Sequence, residues 1–288
     1  MKQFHNKAFA LPIVLWALGI LFAVLVATAA FMDLSLRSDA LSAKAATAKQ
    51  LAISGIAFAS GLKNTNLPLT LTRTVDDEGQ FTIERSSETG RININILLQK
   101  KDQEAISCLL VFWGATPEKA TLAASALVAQ RWKKTNSASG EVFVPFNSYG
   151  EITAVPEFEA ATADKKDWRD LLTFWGSGPI DLNYASQDAL IALGRLSREK
   201  AQALIALRND AEKAPNPEAN HAALQSVDQV ITFLGVTGEP AKQLTRYFGT
   251  KTELHRIESR AEVAKIKSHI LIVVNADAKT WAPLVWSE

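Results

Sequence analysis

The chain has 288 residues, of which 48% are hydrophobic and 21% charged, and its formal net charge is +1. That balance excludes a disordered chain, and near-neutrality gives no overall field to recruit a polyanion. A single cysteine, Cys108, excludes an internal disulfide, and the histidines at 5, 221, 255 and 269 make no HxxxH, CxxC or HExxH spacing for zinc.

Residues 8 to 32, Ala8 through Met32, carry no charge. As a helix this run spans the ~30 Å hydrocarbon core of a bilayer. Lys2 and Lys7 precede it, and Asp33, Arg37 and Asp39 follow it, so the N-terminus is expected on the cytoplasmic side. Three readings fit the segment. Ala27-Thr28-Ala29 resembles a signal-peptidase site, but the apolar run exceeds the ~7–15 residues of a signal peptide's apolar region. A plain signal anchor is the second reading. The third is a short basic leader cut at the cytoplasmic edge, between Ala8 and Phe9.

The sequence after Met32 favours the third reading. From Asp33 to about Lys63 there is no proline, and Gly55 is the first glycine. Leu34, Leu41, Ala45, Ala48, Ala52, Ile56 and Ala59 recur on one helix face. The apolar helix therefore continues as an amphipathic one, with residues 33–63 expected to cover a domain.

Period-two alternation marks strands at Leu67–Val75, Phe81–Arg85 and Arg91–Asn95, with a turn at Asp76-Asp77-Glu78-Gly79. It returns at Arg256–Val263 and Ile266–Val274, followed by a turn at Asn275-Ala276-Asp277 and a last strand at Pro283–Trp286. One polar and one buried face imply an antiparallel sheet covered on one side. Between the strand groups, Lys101–Trp113, Pro117–Lys134, Trp168–Gly176, Ser186–Leu193, Ser197–Asn209, Ser226–Leu234 and Glu239–Tyr247 read as helices. Loops are signalled at Ser137–Gly140, Pro145–Gly150 and Pro215-Asn216-Pro217. Cys108, in the apolar run Ile106–Phe112, reads as a small buried hydrophobe. The fold class expected is α+β: a long N-terminal helix on a small antiparallel sheet, with a large all-helical insertion of helix-hairpin-helix/SAM-like type.

A weak repeat runs through the helical block. Gly90-Arg-Ile-Asn-Ile-Asn95 resembles Gly178-Pro-Ile-Asp-Leu-Asn183, and each is followed by a helix, a glycine (Gly114, Gly194) and another helix. Leu193-Gly-Arg-Leu-Ser-Arg-Glu-Lys-Ala201 looks like a degenerate helix-hairpin-helix. Ser197 stands where a second glycine would let backbone N–H groups approach a phosphate. No basic stripe with interleaved aromatics surrounds it, so packing is the expected role. No GxSxG, phosphate loop or dinucleotide fingerprint is present, and no enzyme activity or cofactor is expected.

Taken together, Phe9-Ala-Leu-Pro-Ile-Val-Leu-Trp16, Gly90–Asn95, Gly178-Pro-Ile-Asp-Leu-Asn-Tyr-Ala-Ser186, Arg256-Ile-Glu-Ser-Arg-Ala-Glu-Val263 and Trp286 resemble the type II secretion minor pseudopilin family called general secretion pathway protein K. The resemblance implies a leader at 1–8, a transmembrane part at 9–32 and a periplasmic helix at 33–63. It implies an α/β core from 64–96 and 250–288, and a helical insertion at 97–249. The partners implied are the I and J minor pseudopilins, the major pseudopilin fibre and the inner-membrane secretion platform. The role implied is a pseudopilus-tip subunit, anchored once in the inner membrane, that primes or caps the fibre and supports export of folded proteins.

Counting Phe9 as the first mature residue, Ile13 stands fifth, where most pilins carry Glu. Ala8 replaces the glycine usual before the cut. Some relatives bind calcium in an acidic loop, and the corresponding stretch here is Arg131–Glu141. It holds one carboxylate and three basic residues, where calcium needs six to eight oxygens, so no calcium site is expected. The alternative function is a membrane-anchored helix-hairpin-helix protein of the competence type that binds DNA.

Overall fold

The computed structural model describes residues 10–61, 70–75, 79–134, 140–176, 178–212, 224–275 and 283–287. Helix α1 runs unbroken from Ala10 to Gly61, 52 residues without an interior proline break after its first turn. Pro12 is tolerated near the start because the N–H it lacks has no partner in a first turn. Strands β1 (Thr70–Val75) and β2 (Gly79–Ser87) pair antiparallel, in register from Thr70 opposite Glu84 to Val75 opposite Gly79.

The helical block follows. It opens with β3 (Ile92–Asn93), α2 (Ile94–Gln99), α3 (Gln103–Phe112), α4 (Pro117–Arg131), β4 (Trp132–Lys134) and β5 (Glu141–Phe143). Next come α5 (Tyr149–Thr153), α6 (Pro156–Thr162), α7 (Trp168–Leu171), β6 (Leu172–Thr173) and β7 (Ile180–Asp181). It closes with α8 (Gln187–Ala192), α9 (Arg198–Glu212), α10 (Val227–Leu234), α11 (Glu239–Tyr247) and β8 (Phe248–Gly249). The chain then completes the sheet with β9 (Leu254–Val263), β10 (Ile266–Asn275) and β11 (Pro283–Ser287). The five-stranded order is β1-β2-β9-β10-β11. β11 pairs antiparallel with β10, with an irregularity between Val273 and Val274.

Two compact units divide the chain. One takes in α1, β1, β2 to Glu84 and residues 258–270. The other takes in residues 85–257 and 271–287. The core of the first comes from the lower part of α1 and one sheet face. Ala48, Leu51, Ala52, Ile56 and Ala59 are buried with Phe81, Ile83, Ala261, Val263 and Ile270. The α1 face mixes Leu51 and Ile56 with small residues, and at the small ones backbone and sheet approach closely. At Gly55 a side-chain carbon would run into Ser259 Oγ and would meet Phe81 Cδ2 at 3.1 Å.

The second unit has a large continuous core. It includes Leu97, Leu98, Leu109, Leu127, Phe146, Phe158, Leu172, Leu190, Leu204 and Leu244. Aromatic edges tighten it: Phe158 and Trp168 meet at 5.0 Å and 86°, and Phe174 and Tyr149 at 4.8 Å.

The α+β class, the long helix and the antiparallel sheet are as the sequence implies. Several local expectations are corrected. Arg91–Asn95 is not a sheet strand. Only Ile92–Asn93 is extended, it pairs in parallel with Leu172–Thr173, and Asn93 caps a helix that starts at Ile94. The block is not all helical, because among the described residues it carries three two-stranded ladders. The helix expected over Pro117–Lys134 ends at Arg131, where Trp132–Lys134 turns into a hairpin with Glu141–Phe143 closed by Trp132 on Phe143. Trp168–Gly176 stops being helical at Leu171, because Leu172–Thr173 is claimed by the β3 ladder. Two helices, at Tyr149–Thr153 and Pro156–Thr162, stand in and just after the expected Pro145–Gly150 loop. Asp76–Glu78 and Pro215–Pro217 lie outside the described residues.

Candidate assembly site

Helix α1 is long and apolar enough to cross a membrane, and none of its apolar stretch is buried within the protein. One such helix fits a single-pass anchor. Ile13 closes its first turn, 65% exposed, on a surface shared with Trp16 and Ile20. Ala8 and Phe9 lie outside the described residues. Below the apolar stretch, Asp33 and Arg37 form an exposed i,i+4 pair at 2.9 Å, an arrangement that contributes a few tenths of a kcal/mol, about 0.3–0.5.

The helix face expected to cover a domain is only half used. Ala48, Ala52, Ile56 and Ala59 are buried, but Leu34 and Leu41 are 66% and 57% exposed and Ala45 is exposed too. The same periodicity runs through both halves. Contact with the sheet begins only at Ala48, so periodicity alone overstates the buried length.

In the block, the repeated motifs turn out to be clamps. Asn93 Oδ1 accepts the Asn95 N–H at 3.0 Å, while Asn93 Nδ2 donates to the carbonyls of Trp175 and Gly176 at 2.9 and 2.7 Å. Asn95 Nδ2 donates to the Phe146 and Phe174 carbonyls, and its Oδ1 accepts the Phe146 N–H at 2.8 Å. The second copy works the same way. Asp181 Oδ1 accepts the Asn183 N–H at 3.0 Å, and Asn183 Nδ2 reaches the carbonyls of Leu224 and Thr250. Each copy begins as a two-residue parallel ladder, Ile92–Asn93 with Leu172–Thr173 and Ile180–Asp181 with Phe248–Gly249. Buried amides that satisfy distant backbone groups hold loops that no regular element could hold.

Where the block joins the sheet strands, the Glu88 N–H donates to the Leu254 carbonyl, and Thr89 Oγ1 accepts the N–H groups of Glu253 and Leu254. The Glu88 carboxylate is fully buried, 3.7 Å from Arg91 Nε and 3.8 Å from Arg256 Nη1. Its oxygens make no direct hydrogen bond, so charge alone holds it there. Asp102 ties the two ends of the block. It caps α3 through the Ala105 N–H and accepts from Arg246 Nη2 at 2.7 Å and Tyr247 Oη at 2.6 Å. Burial, then the Asp102 hydrogen bond, holds the Tyr247 phenol well above the usual tyrosine range.

The helix-hairpin-helix remnant is not a single one. Three helix pairs, α3–α4, α8–α9 and α10–α11, pack on one another, and their connections align residue by residue. Gly114, Arg195 and Gly235 occupy the same place with φ of 103°, 53° and 56°. Three residues of matching type follow: Ala115, Leu196, Val236; then Thr116, Ser197, Thr237. An acid comes next in the first turn, at Glu118, Glu199 and Glu239, and then Ala120, Ala201 and Ala241. The third copy escaped the sequence reading because Gly238 and Pro240 break the look of the hairpin. The spacing of threonine, glutamate and alanine was the signal that could have found it.

These acids decide what the hairpins can bind. A helix N-terminus attracts an anion, and here the chain supplies its own. Glu118 and Glu199 are held below the usual carboxylate range, first by their own backbone N–H groups and then by the Thr116 and Ser197 hydroxyls. A phosphate would meet an existing negative charge at each of these two turns.

Cys108 is half-buried and not the fully buried hydrophobe its apolar run implies, because Arg195 Nη2 sits 3.0 Å from its sulfur and 3.2 Å from Glu104 at the surface. In the stretch Arg131–Glu141, residues 135–139 lie outside the described residues. Its one carboxylate, Glu141, pairs with Lys101, whose ammonium also lies 4.2 Å from the Trp132 ring centre. Arg131 pairs with Glu151 and covers Phe146. Among the described residues no group of three or more His, Cys, Asp or Glu side chains is placed to hold a metal ion.

A long, partly uncovered N-terminal helix, an antiparallel sheet closed below it and a helical block between the strands make a pseudopilin-like α+β fold. A chain in the solved GspK-GspI-GspJ complex of the enterotoxigenic Escherichia coli type 2 secretion system has the same fold, with a TM-score of 0.61 over 88% of this chain and 98% of that one. The two are 15% identical, so the likeness is one of fold. No family model and no curated protein matches the sequence.

Proposed function

We propose that the chain is a minor pseudopilin of the type II secretion system, of the K type. It would work without catalysis or cofactor, as an assembly subunit at the pseudopilus tip that primes or caps the fibre for export of folded proteins. The observation that carries this reading is the match of fold across almost the whole of both chains, the helical block included. On this reading residues 1–8 are a leader cut between Ala8 and Phe9. Residues 9–32 cross the inner membrane with the N-terminus cytoplasmic, and 33–63 continue in the periplasm. Residues 64–96 and 250–288 are the core, and 97–249 the insertion.

Ile13 supports the tip position. A glutamate fifth in the mature chain can neutralise the terminal ammonium of a neighbour inside lipid, where an unpaired charge is costly. Ile13 offers a neighbour no such pairing, so the subunit suits an end of the fibre better than its repeat. The partners are then the I and J minor pseudopilins, with the major fibre and the inner-membrane platform.

The test has two parts. N-terminal sequencing of the membrane-purified protein is expected to start at Phe9, and a start near Ala30 overturns the reading. The I and J subunits are expected to co-purify with the full chain from cells that make them all, and their absence counts equally against it. Against the DNA-binding alternative stand Glu118 and Glu199 in the hairpins. A low-salt gel shift with the full chain in detergent is expected to show no retarded band.

A further inference from the structure

Paired strands need something to fix which residue faces which. β9 and β10 have it in their turn. Ala264 and Lys265, the two residues between them, carry φ of 48° and 74°, the left-handed pair that a two-residue hairpin turn uses. β2 and β9 are neighbours as well, but the whole helical block lies between them in sequence, and no turn sets their register. The side-chain pattern sets it only in part. Ile257, Ser259, Ala261 and Val263 are the buried residues along β9. A slip by one residue would turn them outward, whereas a slip by two brings small or apolar side chains back to the same face.

Where the block leaves and rejoins these strands stands the Glu88 carboxylate, fully buried between two guanidinium groups whose side chains are only 16% and 11% exposed, those of Arg91 and Arg256. No hydrogen bond reaches either Glu88 oxygen. Such a cluster adds little stability, because the cost of taking three charges out of water offsets their attraction. It discriminates well, however. Glu88 and Arg91 follow β2, while Arg256 belongs to β9. A two-residue slip carries Arg256 about 7 Å along the strand, out of reach of Glu88, and leaves a buried carboxylate with one partner instead of two. Thr89 Oγ1, which accepts the N–H groups of Glu253 and Leu254, loses both in the same slip. We propose that the Arg91–Glu88–Arg256 triad is a register lock for β2 on β9, rejecting the two-residue slips that the apolar pattern admits while adding little or nothing to stability. The lock is a conformational device of this chain and stands whether or not the chain is a pseudopilin.

The test uses the full chain in detergent with Cys108→Ser. One new cysteine replaces Thr82 on β2, and a second replaces Glu258, Arg260 or Glu262, which alternate with the buried residues of β9. Disulfide closure under copper-phenanthroline is timed for each pair. With the triad intact, one pair is expected to close at least tenfold faster than the other two. Glu88→Leu with Arg91→Met and Arg256→Met is expected to cut that advantage below threefold, while its urea midpoint stays at or above that of the parent. Glu88→Arg with Arg256→Glu reverses the pair across the strands and is expected to keep the tenfold preference. An undiminished preference in the apolar variant overturns the proposal. So does an apolar variant that fails to fold, or whose midpoint falls as far as that of Glu88→Gln, because the triad is then a stabiliser. Loss of the preference in the reversed variant overturns it too, since the lock needs only opposite charges across the strands.

Discussion

The two halves of α1 have nearly the same periodicity and opposite fates. Above Thr47 the helix lies open, and from Ala48 down its buried face is Ala, Leu, Gly and Ile closed on strands. In one phase of the stripe Leu34 and Leu41 give way to Ala48 and Gly55, whose small size lets the helix backbone approach a sheet, while Leu51 and Ile56 pack beside them. The difference teaches that a hydrophobic stripe names a face but not what covers it.

That contrast can be broken by substitutions in the closed regions and the open one, read by urea unfolding of the detergent-solubilised full chain. The largest effect is expected at Glu88. Its replacement by Gln removes the charge facing two nearly buried guanidinium groups, at a cost of about 3–5 kcal/mol. Next is Gly55→Leu, which drives a side chain into Ser259 and Phe81 and is expected to cost about 3 kcal/mol by overpacking.

Tyr247→Phe should cost about 1–1.5 kcal/mol at neutral pH by removing the Asp102 hydrogen bond. It should also flatten the alkaline limb. The phenol's folded pKa is raised, so its contribution is complete below the unfolded value of about 10 and is lost as pH rises above it. A variant with no phenol at 247 loses stability less steeply there. The smallest effect is expected at Leu41→Ala, under about 0.5 kcal/mol for an exposed position. A cost matching that of Gly55→Leu would show that the upper helix packs on its own chain after all, and would end the comparison.

The long helix, the sheet and its alternation at β9 were legible because each rests on local period. Ile257, Ser259, Ala261 and Val263 point inward as their spacing implies, and the apolar run from Ile270 to Val274 is buried. The motif Gly90–Asn95 was visible, but its conformation was not. Its alternation imitates a strand, and only the ladder to Leu172 and the reach of Asn93 and Asn95 to residues about 50 to 80 positions away decide otherwise. Arg195 beside Cys108 escaped for the same reason, because the sequence separates what the hairpin brings together. Of the proposed assembly positions, Ile13 could be placed on its helix, and its meaning depends on a cut that lies outside the described residues.

The three aligned hairpins bear on how the chain comes to be folded at all. Their helices touch mainly near neighbours in sequence, the kind of contact that forms fast. The sheet is the reverse, since β2 ends at Ser87 and β9 begins only at Leu254. During synthesis one strand has to stay unpaired while everything between is still arriving. If each hairpin sets as it emerges, the intervening length shrinks to a compact body whose ends, Glu88 and Leu254, already meet through one backbone bond. The long wait for the second half of the sheet becomes a short closure, and a protein without a disulfide gains protection against pairing with the wrong strand.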